Sequence, residues 1–186
     1  MTLTQAPTVR RLRPLLRWTV SFAGFPLGGL AAMLLVGPVN SPTAAVLGGL
    51  LTGMVIGVVQ AWALRLTRVD AATWVAGTGA GLAVGLLAGA LLVGFGTTLP
   101  QLALQGAVSG AFVGVGQAVV LARRVGPLAA AWPVYLAGVW AVGWAVTTAI
   151  GVQVGDRFTV FGSIGALVVT AFTGVLPVIR RRGQRS

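Results

Sequence analysis

The chain has 186 residues, of which 13 are basic and two acidic, for a net charge of +11; 56% are hydrophobic and the mean hydropathy is +0.94. So few charges cannot clothe the surface of a water-soluble domain, so the composition excludes one and predicts a chain buried in lipid. Cys, His and Lys are absent, which excludes disulfides, thiol nucleophiles, imidazole-ligated zinc or haem, and Schiff-base sites.

In chain order, a basic tail over residues 1–17, with Arg10, Arg11, Arg13 and Arg17, leads into an apolar stretch at 18–36. Its charged and apolar regions imitate a secretory signal, but no small-x-small cleavage site follows, so it is expected to stay as the first helix. Further apolar stretches follow at 44–64, 71–95, 102–122, 129–154 and 159–179, before a second basic tail over 180–186. At ~1.5 Å per residue each can cross a hydrocarbon core of ~30 Å. Arg65 and Arg68 separate the second and third stretches, Arg123 and Arg124 the fourth and fifth, and Arg180, Arg181, Arg182 and Arg185 follow the sixth. On a six-span path, 12 of the 13 basic residues then share one face, Arg157 being the exception. The positive-inside rule makes that face and both termini cytoplasmic, as in a multi-pass protein of a bacterial plasma membrane. In a soluble protein this charge would invite a nucleic-acid partner. At the membrane edge it points to anionic lipid headgroups instead, with Arg65, Arg68, Arg123, Arg124, Arg180, Arg181 and Arg182 as contacts and no nucleic acid.

Two patterns predict an internal repeat. Trp18, Trp74 and Trp132 are each followed at one distance by a glycine, Gly29, Gly85 and Gly143. A shift of 57 lays the second stretch on the fourth, pairing Gly49, Thr52, Gly53, Gly57 and Gln60 with Gly106, Ser109, Gly110, Gly114 and Gln117. The sixth stretch fits in part, with Gly174 in the Gly57 slot and Pro177 in place of the glutamine. The expected fold is an all-α integral membrane protein of six transmembrane helices, built as three parallel helical-hairpin repeats with approximate threefold symmetry.

Small residues at four-residue spacing mark the packing faces. The ladders are Gly49, Gly53 and Gly57; Gly77, Gly81, Gly85 and Gly89; and Gly106, Gly110 and Gly114, with Gly24 and Gly28 in the first stretch. An alanine ladder, Ala137, Ala141, Ala145 and Ala149, is expected in the fifth. Lipid offers helices little hydrophobic reason to associate, so close backbone approach must supply the contact.

Chemistry is sparse. Asp70 and Asp156 are the only carboxylates and fall in loops on opposite faces, which excludes catalysis by a carboxylate pair. Asp70 reads as a first-turn acid of the third helix and Asp156 as the partner of Arg157. No ionisable group falls at membrane depth, so a proton relay is not expected. Gln60 and Gln117 lie ~8–9 Å along their helices from the nearest arginine, where an amide seeks an interhelical hydrogen bond. A functional alternative has Gln60, Gln117, Thr52 and Ser109 converge on a polar ligand, in a site made lopsided by Pro177. Trp18, Trp74, Trp132 and Trp62 are expected to form an interfacial belt, and Trp140 and Trp144 to share a face of the fifth helix. No metal or cofactor site is expected.

The segment Gln60-Ala-Trp-Ala-Leu-Arg65, followed by Trp74-Val75 and a glycine-rich helix, resembles a family of small bacterial polytopic membrane proteins in which a Gln-Trp-x-x-Leu-Arg hairpin recurs. The second copy, Gln117-Ala-Val-Val-Leu-Ala-Arg, lacks the tryptophan. The resemblance implies the fold and carries no activity, the family being uncharacterised. The expected function is non-enzymatic: an accessory or scaffold subunit meeting other membrane subunits, or a binder of lipid-like molecules. The alternative is a small-solute channel or the substrate-binding subunit of an importer, and a polar path along the bundle axis would distinguish it.

Overall fold

A computed structural model describes residues 7–151 and 163–177, and within them every regular element is helical. Four helical stretches, Arg13–Leu35, Pro42–Leu64, Arg68–Leu92 and Leu99–Ala149, are long and apolar enough to cross a membrane, and a shorter apolar one covers Gly165–Pro177.

Helix α1 (Pro7–Val20) passes through a 3₁₀ turn at Ser21–Ala23 into α2 (Gly24–Leu35). The helix thus begins eleven residues before the apolar stretch at 18–36, because arginine and leucine are good helix formers and extend it. α3 (Pro42–Leu64) starts where Ser41 accepts a hydrogen bond from the Ala44 N–H at 3.2 Å, with Pro42 on the first turn. It ends with Arg65 in the left-handed region, φ 51°, as Leu66 N–H reaches back to the Ala61 carbonyl and Arg65 N–H to that of Trp62. This is a Schellman closure with arginine where glycine is the usual occupant.

α4 (Arg68–Leu92) is capped by Thr67, which accepts from the Asp70 N–H at 3.2 Å. α5 (Leu99–Val125) opens with the Thr98 N–H donating to Gln101 Oε1 at 3.1 Å and has Pro100 in its first turn. Gly126, at φ 59°, turns the chain through a 3₁₀ segment, Gly126–Ala131, into α6 (Trp132–Ala149). The 51-residue apolar stretch is therefore a hairpin and not one rod: Gly106 approaches Trp144 while Gly114 approaches Pro133. α7 (Ser163–Phe172) covers part of the sixth stretch, and Gln153, Asp156, Arg157 and Arg180 to Arg182 lie outside the described residues.

From α2 to α6 consecutive helices run antiparallel, and each glycine ladder is pressed on the helix that follows it. A Cβ on Gly28 would stand 2.9 Å from the Thr52 carbonyl oxygen of α3; one on Gly49 or Gly53 would meet α4, at 2.8 Å from Leu82 O and 2.6 Å from Thr78 O. Gly77 and Gly81 face α5 at Gly116 and Phe112, Gly85 and Gly89 meet it at Ser109 and Gln105, and Gly106, Gly110 and Gly114 face α6. Gly57 meets Val75 of α4. The alanine ladder of α6 is not its packed face: the buried stripe is Trp132, Leu136, Trp140, Gly143, Trp144 and Thr147. Glycines on α5 leave hollows, and complementary packing requires large side chains opposite them. Trp140 and Trp144 fill these hollows, over Gly110 and Gly106.

Candidate functional site

Toward the arginine-bearing end, four helices are tied by one polar network. Gln60 on α3 accepts two hydrogen bonds at Oε1, from Trp74 Nε1 of α4 and from Gln117 Nε2 of α5, both at 3.1 Å. Gln117 Nε2 also donates to Thr78 Oγ1 at 3.2 Å, and Gln117 Oε1 accepts from Trp132 Nε1 of α6 at 3.0 Å. All five side chains are buried. At ~0.6 kcal/mol per membrane hydrogen bond, the four contacts contribute ~2 kcal/mol and fix helix rotation. Trp18 follows the same habit, its indole donating to the Thr170 carbonyl of α7 at 2.8 Å.

These bonds correct the expected interfacial belt. Trp18, Trp74 and Trp132 are buried, and only Trp62, 57% exposed, faces outward. An indole N–H at the edge of lipid can satisfy itself in water or inward on an acceptor, and here the glutamines and a helical carbonyl supply the acceptor. In the sequence each glutamine is followed by its tryptophan at nearly the same distance, 14 residues from Gln60 to Trp74 and 15 from Gln117 to Trp132.

The four expected polar residues separate into two pairs. Thr52 and Ser109 lie two helical turns, ~12 Å, from Gln60 and Gln117 on their own helices. They line a central cavity of about 60 Å³ with Phe25, Leu86, Trp140 and Trp144, to which α2 to α6 all contribute. Thr52 Oγ1 donates to the Gly28 carbonyl at 3.1 Å, whereas Ser109 Oγ is buried without a partner among the described residues. Phe25 and Trp140 pack with ring centroids 5.9 Å apart. Water occupies ~30 Å³ in the liquid, so this cavity has room for about two molecules. Pro177 is buried at the last described position and brings no polar side chain to the glutamine pair.

The large concavity lies elsewhere. A groove of about 1190 Å³ runs along the outer faces of α3 and α4, with Arg17 of α1 and Arg65 at one end and Leu50 and Ala80 toward the other. Its α4 side is built from Ala72, Ala76 and Ala80, one turn apart, and Met54, Val58 and Trp62 of α3 form the opposing wall. Alanines at that spacing leave the seam hollow, although the helix backbones meet beneath it at Gly53 and Gly57. Arg17 was not among the expected lipid contacts, because only the docking of α1 on α3 brings it there.

Arg123 and Arg124 are committed to another contact. Arg123 Nη1 and Arg124 Nη2 grip the two oxygens of Asp70 at 3.0 and 2.8 Å, fastening the start of α4 to the end of α5. Asp70 is a first-turn acid of α4, and it is also the bridge that partly neutralises two arginines expected to be open to lipid. No protein-family model matches the chain, and neither a curated protein nor a solved structure matches it.

Proposed function

We propose that the chain is a non-enzymatic integral membrane protein of bacterial type that crosses the bilayer six times, with both termini cytoplasmic, and holds a lipid-like molecule. The observation that carries this reading is the apolar groove of about 1190 Å³ on α3 and α4, roofed by nothing among the described residues and ending at two arginines. The axis supports it from the other side. A conduction path needs polar, hydrated continuity, yet the glutamine network is buried and internally paired, and the cavity beyond it is only about 60 Å³. The bridging of Asp70 by two arginines favours a structural role for that carboxylate.

The threefold hairpin organisation is part of the proposal. Its support is the order of the indole bonds: Trp74 donates to Gln60 and Trp132 to Gln117, each to the helix closing the preceding hairpin, while Trp18 donates to α7, the last helix described. Such an order closes a ring, with the third copy using a backbone carbonyl because its glutamine slot holds Pro177.

The reading is tested by native mass spectrometry of protein released gently from its membrane. The expected spectrum shows a retained lipid on the wild type and none on Ala76→Trp and Ala80→Trp variants, whose indoles fill the groove. A wild-type chain that carries no lipid overturns it.

A further inference from the structure

We infer that this groove selects a lipid with an anionic phosphate headgroup, held at its mouth by Arg17 and Arg65; the inference rests on the groove reading above and adds the ligand's class. The groove has the dimensions of an acyl-chain site. From Arg65 to Leu50 it follows α3 for fifteen residues, or ~22 Å, which exceeds the ~15 Å depth of one leaflet's hydrocarbon. Its walls are aliphatic apart from Trp62, so the chain of the ligand is recognised by shape and its head by charge.

The charge is placed for a phosphate. Among the described residues Arg17 and Arg65 form no ion pair, whereas Arg123 and Arg124 are engaged by Asp70. Guanidinium matches phosphate oxygens in planar, paired hydrogen bonds, and two such groups flanking one apolar slot fit a headgroup whose tail enters between them. The backbone adds a separate argument. Arg65 occupies the left-handed region at φ 51°, where glycine is preferred by about 1 kcal/mol. A strained residue whose side chain stands at the mouth of a groove is accounted for by a role for that side chain at the mouth.

The test places the full chain in phosphatidylcholine vesicles carrying a small mole fraction of either brominated phosphatidylglycerol or brominated phosphatidylcholine. Bromine quenches nearby indoles, and five of the six tryptophans are buried, so the loss of fluorescence reports Trp62 in the groove wall. Phosphatidylglycerol is expected to quench at about fivefold lower mole fraction, the advantage that one arginine near a membrane surface confers. Arg17→Gln and Arg65→Gly are each expected to reduce that preference while leaving quenching by brominated phosphatidylcholine unchanged. Arg65→Gly relieves the left-handed strain, so its loss of preference is not a loss of fold. Arg68→Gln, outside the groove, is expected to keep the preference. Equal quenching by the two lipids in the wild type, or an equal loss in Arg68→Gln, overturns headgroup selection and leaves the groove occupied. Absence of any lipid from the native mass spectrum overturns the groove reading itself.

Discussion

Gln105 and Gln117 stand three turns apart on α5, both buried, yet their amides have opposite fates. Gln117 uses its carbonyl oxygen once and its amino group twice, to Trp132, Gln60 and Thr78. Gln105 is buried, and among the described residues neither its oxygen nor its nitrogen has a partner. An unpartnered buried polar group costs about 1–3 kcal/mol, while a satisfied one contributes a little. The same substitution should therefore act with opposite sign at the two sites. Gln105→Met is expected to raise the unfolding free energy by about 1–2 kcal/mol and Gln117→Met to lower it by about 2 kcal/mol, measured by steric trapping in bilayers. Destabilisation by Gln105→Met would mean that the amide has a partner. Of the polar site, the two glutamines that a shift of 57 aligns, Gln60 and Gln117, are hydrogen-bonded to each other, so their candidacy was legible in the sequence. The fate of Gln105 was not, since one amide reads like another until its neighbours are known.

A ladder of glycines announces that some helix comes close and is silent about which one. Each ladder turned out to serve the next helix in the chain, and the reason lies in antiparallel hairpins with short turns, which make sequence neighbours spatial neighbours. The energetic content can be tested by contrast within one residue type. Gly53→Ala puts a methyl group 2.6 Å from the Thr78 carbonyl oxygen and 2.8 Å from Gly79 Cα, both backbone atoms that cannot swing aside. Overpacking of this kind costs about 1–3 kcal/mol. Gly138→Ala on α6 meets nothing within 4 Å, and relief of helical glycine is expected to stabilise by about 0.5–1 kcal/mol. Thermal unfolding in detergent should rank Gly138→Ala above the wild type and Gly53→Ala below it; the reverse order would show that the α3–α4 seam is looser than described. The alanine ladder of α6 misled for a related reason. Opposite the glycines Gly106 and Gly110 of α5 the tryptophans of α6 take the packed positions, and its alanines do not.

For the whole molecule, the proposed six-span topology makes one statement that can be tested: it puts the turn before α5 and the turn after it on opposite sides of the bilayer. α5 has 27 residues, ~40 Å at the helical rise, enough to cross ~30 Å of hydrocarbon with ends in the headgroups. The chain has no cysteine, so single cysteines can be placed without background. Thr97→Cys is expected to react with an impermeant maleimide added to intact cells, and Leu128→Cys only after lysis; both positions are exposed. Labelling of Leu128→Cys from outside would invert the assignment. The sequence by itself determined the helical, apolar character and the placement of Arg65, Arg68, Arg123 and Arg124 at helix ends, because hydropathy and charge act residue by residue and accumulate along the chain. Only the tertiary structure decided that Asp70 gathers Arg123 and Arg124, that three tryptophans turn inward, and that Arg17 joins Arg65 at an apolar groove. Those are relations between segments far apart in the chain, and a groove is defined by what two helices fail to fill between them, which no single stretch of residues records.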